Sequence, residues 1–546
     1  MLPLTGSVAA FYMAGFSILI RKVLLIVPMA LLVGCAAGPD FKRPDAPVAA
    51  TYAPQPLPKL TASTDILQGR AQSFVASKQI PSDWWSLFQS PQLNALIERA
   101  FKANPDIEAA QAALRSAQQS VIAQQGFFYP TVGVSYSPSR NKLAGNNGGN
   151  SPGLQGNGTL IQTYSNPAGP KYIGPAYYNF HVAQLTVGYV PDVFGMRRRQ
   201  VESAQAQEQM QQMQLQATYI TLASNVVAAA LQEASVRAQL AAVDRVIASN
   251  RENLDIMRRQ LALGYIAEID VAVQEAALAQ AEQARPPLRN QLEQTRDLIR
   301  ALAGNTPDQD VPETFELSEL HLPEELPLSL PSKLVEQRPD VRIAEAQLHA
   351  ASAQYGVAIA NRLPQFSIQA AMGGMASSPD WMFRAGGGFF NLVGNVAQTI
   401  FDGGTLRAQS RGAEQALIQA GAQYRGTVIA ALQNVADTLH AIESDADALK
   451  AAAAFEQASK KVLELTRRQY ELGFVAYQYL LIAEQNYQLS SISLVQAQTA
   501  RLGDTAALYQ ALGGGWWNNA ESTKTENEKN PAVTRPANSA QGVKAS

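Results

Sequence analysis

The spacing of apolar residues changes along the chain, and each change predicts a different element. From 215 to 261 the positions 215, 219, 222, 226, 229, 233, 236, 240, 243, 247, 250, 254, 257 and 261 alternate steps of four and three, and twelve of these fourteen are apolar. A 3.5-residue period of this length predicts a helix packed as in a coiled coil. A single helix over 200–263 would be about 95 Å long at 1.5 Å per residue, far beyond the width of a globular domain. Upstream the period drops to two. Val132, Val134 and Tyr136 share one face of a strand over 131–137, and Ala183, Leu185, Val187 and Tyr189 share one face of a strand over 181–190. Phe366, Ile368, Ala370 and Met372 repeat the pattern, and 391–401 supplies its partner less cleanly.

These elements occur twice. Asn104, Pro105, Asp106 and Ile107 return as Arg338, Pro339, Asp340 and Val341, and Tyr129 and Pro130 return as Leu363 and Pro364, at one offset of 234. Further on, 258–267 returns as 467–476, and Gly195 as Gly404, at an offset of 209. The lost 25 residues place an insertion in the first copy, where 141–175 is rich in Gly, Asn, Ser and Pro and reads as a long loop. Each copy runs helix (107–125, 341–361), strand pair, long helix, glycine turn (Gly264, Gly473) and returning helix to about Ala303 or Leu512. The matched stripe from Tyr424 to Tyr470 keeps nine of its fourteen positions apolar. The expected organisation is a signal peptide 1–34, an N-terminal segment 35–103, a first repeat 104–304, a linker 305–337, a second repeat 338–512, and a partly disordered tail 513–546.

Four strands of about ten residues are long enough to cross a bilayer when tilted, but too few to close a barrel. An open edge in lipid would leave backbone groups unpaired at several kcal/mol each, so chains must associate. Three chains would give twelve strands, and two would give eight.

At the N-terminus Arg21 and Lys22 precede an apolar run, 23–33, that ends at Gly34 and Cys35, the pattern of an export signal. The 32–35 segment resembles a lipobox, in which Cys35 is acylated and becomes the mature N-terminus. Ala36 stands where an Asp would favour inner-membrane retention, so the outer membrane is the expected address. One cysteine and four scattered histidines (His181, His321, His349, His440) leave little for a disulfide framework or metal centre, and a formal net charge of −2 gives no electrostatic reason to bind nucleic acid. No GxxxxGK[ST] phosphate loop is present, so the chain carries no nucleotide-driven energy source of that kind. Met210 and Met213 read as packing residues, and the glycine runs at Gly386 and Gly513 as bends.

The order of these features resembles the TolC/OprM-type outer-membrane efflux family, in particular its lipoprotein branch. The resemblance is carried by Cys35 with Gly38, Pro39 and Asp40, by Asp83, Trp84, Trp85 and Phe88, by the duplicated Pro-Asp-Ile/Val, and by the twin Leu-Gly turns. It implies an α+β membrane protein, internally duplicated, whose four strands per chain join a trimeric 12-stranded β-barrel continued by a long periplasmic α-helical barrel, with 35–103 as its lipidated segment and belt region and 305–337 as a linker or belt. It also implies an exit duct for drugs or other toxic solutes, without enzymatic activity or cofactor. The implied partners are two further copies, a periplasmic adaptor (membrane fusion) protein, an RND-type inner-membrane transporter and outer-membrane lipid. A lipid-anchored periplasmic coiled-coil rod and a protein-secretion channel are the alternatives.

By the same resemblance Leu263, Gly264, Tyr265, Leu472, Gly473 and Phe474 form a periplasmic tip that docks the adaptor. The alternative is that the glycines only end helices and the two aromatics pack on a neighbouring helix. Ala267 and Ala476 replace the Ser or Thr of relatives, which predicts slightly frayed helix starts. The family closes its tunnel at this end. Tyr470 and Asp270 match tethering positions, Val475 replaces an arginine, and Tyr479 and Ile482 stand where some relatives carry inward aspartates. The expectation is an aromatic or apolar gate of Asp270, Tyr470, Tyr479 and Ile482, with helix capping as the alternative role of Asp270.

Overall fold

The structure, a computed structural model, describes residues 36–45, 51–52, 54, 58–76, 78–142 and 177–518. Cys35, the signal segment, nearly all of the inserted loop and the tail beyond 518 lie outside the described residues. Chain contacts divide the molecule into two units, one of residues 1–42, 117–208 and 347–420, the other of the remainder.

The first unit holds a four-stranded antiparallel sheet of β2 (Thr131–Lys142), β3 (Tyr177–Tyr189), β5 (Gln365–Ala376) and β6 (Gly388–Ala397), in that order. Val134 pairs with Leu185, Leu185 with Met372, and Met372 with Phe390. Because side chains alternate faces, this register gathers the apolar positions of all four strands on one side, from Val132 and Val134 through Val187 and Ala370 to Leu392 and Val396. The opposite side carries Ser135, Gln184, Thr186, Gln369, Asn391 and Asn395. The apolar side is largely exposed, with Val134 82% and Phe390 84% exposed, and the 377–387 connection lies against it near Gly374. Among the described residues β2 and β6 are edges without a partner strand. The last strand starts and ends earlier than its composition predicts: its ladder closes at Gln365 and Ala397, and Ile400 and Phe401 lie beyond it. Apolar residues there continue past the last backbone pair, which alternation alone cannot reveal.

The second unit is helical around a two-stranded parallel sheet of β1 (Ser73–Ala76) and β4 (Glu325–Leu328). Helix α1 (Pro91–Ala103) begins at Ser90, whose side chain accepts from the Leu93 amide, and has Pro91 at its first position. It stops ahead of Pro105, where α2 (Pro105–Gly126) begins. The second copy repeats this as α5 (Pro331–Gln337) and α6 (Pro339–Ala360). The long helices α3 (Met196–Ala262) and α7 (Thr405–Glu471) are each 67 residues, about 100 Å. Their returning partners α4 (Glu268–Leu302) and α8 (Tyr477–Ala511) are each 35 residues.

None of the fourteen stripe positions of α3 is exposed, and neither is any of their fourteen counterparts on α7. The core of this unit is built from Leu222, Val227, Ile299, Leu439 and Leu502, with the Trp84 ring stacked on Tyr509 at 5.5 Å. Corner contacts are duplicated too. The Asn104 side-chain amide donates to the Leu302 carbonyl (3.1 Å), and in the second copy the Arg338 guanidinium donates to the Ala511 carbonyl (2.6 Å). Among the described residues no helix is long and apolar enough to cross a membrane.

Candidate functional site

Three places carry chemistry that the fold alone does not require: the two helical turns with the polar groups behind them, the segment that follows Cys35, and the buried arginines of the helical unit.

The turns are backbone copies of each other. Gly264 and Gly473 both take φ +77°, the left-handed region that glycine adopts without steric cost. The Tyr265 amide donates to the Gln260 carbonyl and the Gly264 amide to Leu261, and Phe474 and Gly473 do the same to Gln469 and Tyr470, all at 2.9 Å. This double bond pattern closes a helix with a glycine in the left-handed conformation. The helix-ending reading of the glycines is therefore met. The flanking aromatics do not pack within the chain: Tyr265 and Phe474 are 76% and 77% exposed, and Leu263 and Leu472 are exposed beside them.

Past the turns the copies diverge. The Asp270 carboxylate accepts from the Ala267 amide at 3.1 Å and so caps the start of α4, replacing the missing Ser or Thr. Its counterpart at the start of α8 is Tyr479, which is exposed, and Ala476 has no side-chain cap. Tyr470 packs edge-on against Tyr477 at 5.5 Å in a cluster with Leu254, Met257, Val271 and Leu480. Burial, and then the Asp270 charge, push the Tyr470 hydroxyl pKa upward. The structure thus brings Tyr470 and Asp270 into electrostatic reach, while Tyr479 and Ile482 stand exposed outside that cluster.

Behind the turns lies a polar connection that sequence reasoning missed. The Tyr477 hydroxyl donates to the Gln274 side-chain carbonyl, and the Gln274 amide donates to the Asn250 carbonyl (2.7 Å) and Oδ1 (3.2 Å). Two turns further along α8, Glu484 accepts from Asn253 (3.1 Å) and Arg467 (3.3 Å). Burial pushes the Glu484 carboxyl upward against the opposing pull of Arg467. The two hairpins are joined here by hydrogen bonds among α3, α4, α7 and α8. A signal existed: Asn250 is one of only two polar positions in the fourteen-residue stripe of α3.

The other exception, Glu233, is fully buried and meets Arg237 (2.6 Å) and Arg296 (3.5 Å). Arg296 also donates to the carbonyls of Val311 and Glu313, fixing the inter-repeat linker. In the second copy Arg501, fully buried, donates to the carbonyls of Gln68 and Arg70 and to the Thr61 hydroxyl, fixing the N-terminal segment.

The third place follows Cys35. The Ala37 amide donates to the Phe194 carbonyl (2.9 Å), and Arg199, on the first turn of α3, donates to the carbonyls of Ala37 and Gly38 and pairs with Asp40 at 2.7 Å. Gly38 (φ +86°) lies so close to α6 that a Cβ there would sit 2.6 Å from the Gly356 Cα. Phe41 stacks on His349 at 4.2 Å, and His349 bonds Glu202 at 2.9 Å. This segment is thereby clamped next to where β3 passes into α3.

The family model described as outer membrane efflux protein matches residues 96–305 and 330–514. The chain is 26% identical over 496 residues to the toluene efflux pump outer membrane protein TtgC of Pseudomonas putida, covering 90% of this chain and 95% of that one. It is 27% identical over 438 residues to the pyoverdine export outer membrane protein OpmQ of Pseudomonas aeruginosa, covering 79% and 87%. Its fold matches the solved structure of the outer-membrane channel OprN with a TM-score of 0.75 at 25% identity, covering 88% of this chain and all of that one.

Proposed function

The chain belongs to the outer membrane efflux protein family, is an efflux-pump channel of the outer membrane, and from that premise we propose how it is assembled, anchored and gated. Three copies associate through their open β2 and β6 edges into a twelve-stranded barrel. The observation that carries this reading is the apolar face running across all four strands, largely exposed among the described residues and bounded there by two edges without a partner strand. Such a face is stable in lipid, and such edges are stable only when paired. The long helices continue the barrel as a periplasmic duct.

Cys35 carries the acyl anchor, supported by the clamp that holds Ala37 to Asp40 against the start of α3. Leu263, Gly264, Tyr265, Leu472, Gly473 and Phe474 dock a periplasmic adaptor, supported by four exposed apolar side chains on turns of identical backbone geometry. The duct closes at the same end through Tyr470, Tyr479 and Ile482. Asp270 acts there as a helix cap and electrostatic neighbour of Tyr470. Energy comes from an inner-membrane transporter of RND type. Exported solutes are small, apolar or amphiphilic toxicants, the class to which toluene belongs, passing a wall rich in uncharged Gln such as 205–216.

A cysteine at Ser135 on β2 combined with one at Asn391 or Asn395 on β6, with Cys35 replaced by Ser, tests the closure. Oxidation is expected to give covalent species up to trimer and no further on a denaturing gel. A ladder that stops at dimer, or no interchain product for either pairing, overturns the twelve-stranded barrel.

A further inference from the structure

We propose that the outer rim of the sheet is a seat for a phosphorylated acylated glycolipid of the outer leaflet, with Arg140, Lys142 and Arg384 holding the phosphates and Phe383 covering an acyl chain. The inference rests on the reading that the Leu185 face of the sheet meets lipid. The helices all leave the sheet at one rim, through α2, α3, α6 and α7, so the opposite rim, with the β5–β6 connection, points outward.

At that outward rim the 377–387 connection does not extend away from the sheet. A Cβ at Gly374 would lie 2.3 Å from the Met382 carbonyl, and Met382 is buried, so the connection folds back against the sheet on the side of Gly374. Gly374 alternates with Met372 and Ala370, which makes this the apolar side. Beside Met382, Phe383 is exposed over a shallow, open apolar depression of about 630 Å³ lined by Val134, Leu185, Met372 and Phe390. A slot of this size with an almost wholly apolar lining suits a hydrocarbon chain.

Cations stand on the 377–387 connection, at Arg384, and on β2 beyond the slot, where Arg140 lies six residues, about 20 Å, past Val134. The Arg384 guanidinium sits 4.7 Å above the Trp381 ring, and its nearest carboxylate, Asp380, is 3.9 Å away, too far for a hydrogen bond. Arg140 and Lys142 follow Val134 and Tyr136 at even spacing on β2 and therefore lie on the same face, beyond the rim. Between slot and cations, the Tyr136 hydroxyl meets His181 Nδ1 at 2.8 Å, forming the polar-tipped aromatic girdle expected at a bilayer interface. Among the described residues of this rim, three side chains are cationic and one, Asp380, is anionic. An apolar slot topped by a girdle and then by cations matches an amphiphile with acyl chains and phosphates. Among the lipids of a bacterial outer membrane, the phosphorylated glycolipid of the outer leaflet has that chemistry on the side where this rim lies.

The test is native mass spectrometry of the full-length protein in detergent, titrated separately with bisphosphorylated lipid A, its monophosphoryl form, phosphatidylglycerol and phosphatidylethanolamine. The expected result is retention of bisphosphorylated lipid A at least tenfold above phosphatidylethanolamine, falling roughly fivefold with each of Arg140→Gln and Arg384→Gln. The monophosphoryl form should fall between the two, and Phe383→Ala should shorten retention of every acylated ligand. Phosphatidylglycerol retained as well as lipid A, or retention unchanged in both arginine variants, overturns the seat. Failure of the lipid-facing sheet reads differently: a Cys35→Ser chain would then stay monodisperse after detergent is removed, before any lipid is added.

Discussion

The two copies of the repeat have the same backbone and different interiors. Their long helices have equal length, their returning helices have equal length, and their turn glycines share one φ of +77°. The polar groups inside them do not correspond. Where α3 buries Glu233 between two arginines, the equivalent of α7 is Ile442. Arg296 of the first copy and Arg501 of the second both fix a belt segment by donating to its carbonyls, yet they stand one helical turn apart when the copies are aligned. Duplication therefore kept what the coiled coil and the turns demand, and left each interior polar group to follow the irregular segment it had to hold.

The comparison breaks most sharply at the buried arginines. Arg501→Leu leaves the carbonyls of Gln68 and Arg70 without this donor and removes one of the two bonds to the Thr61 hydroxyl, and the expected cost is about 3 kcal/mol or more. Leu292, its aligned position in the first copy, is leucine already. A thermal melt of the purified protein should drop for Arg501→Leu and for Arg296→Leu by similar amounts. A near-neutral Arg501→Leu would mean that the belt is held by its apolar contacts alone.

The glycine turns test the other half of the comparison. Open space surrounds both Cβ positions, so Gly264→Ala and Gly473→Ala should cost the same, about 1–2 kcal/mol for an L-residue in the left-handed region. Unequal losses would show that one turn is held by contacts beyond its own backbone.

Tyr477→Phe removes one hydrogen bond of the Tyr477, Gln274, Asn250 chain and should cost about 1 kcal/mol. Its aligned residue in the first copy is Glu268, which carries no such chain. Faster hydrogen exchange at the start of α8, with α4 unaffected, is the expected readout. Equal loosening of both starts would mean that the hairpins open as one unit.

A further effect concerns pH. Burial, and then the facing Asp504, push Asp445 up to about 7, with Arg501 opposing. A carboxyl whose pKa is raised by folding binds its proton more tightly in the folded chain. Stability is then gained as pH falls below about 7 toward 4, and lost as pH rises through 7. Asp445→Asn should flatten that dependence, because Val236 and Thr295 hold the aligned positions of the first copy and cannot titrate. A slope unchanged in Asp445→Asn would place the proton elsewhere.

What could be read from the sequence follows the same division. Periodic features were legible: the stripe on α3 is unexposed at all fourteen positions, and the strand faces fall on one side of the sheet as their alternation predicts. Asp270 was legible only as one of two roles, since a carboxylate three residues into a helix satisfies both a gate and a cap; the bond to the Ala267 amide identifies the cap. Tyr477, Gln274 and Glu484 were not legible, because each becomes buried only when the two hairpins meet, and no local period records that contact. The end of β6 was missed for a related reason: Ile400 and Phe401 have strand composition without a partner backbone.

Single-channel conductance of the purified Cys35→Ser protein in a planar bilayer, with its oligomer mass, tests the central claim most directly. The account predicts a trimer whose pore is mostly closed and opens more often when Tyr470 or Tyr477 is changed to alanine. A monomer that stays soluble without detergent and conducts nothing would contradict it.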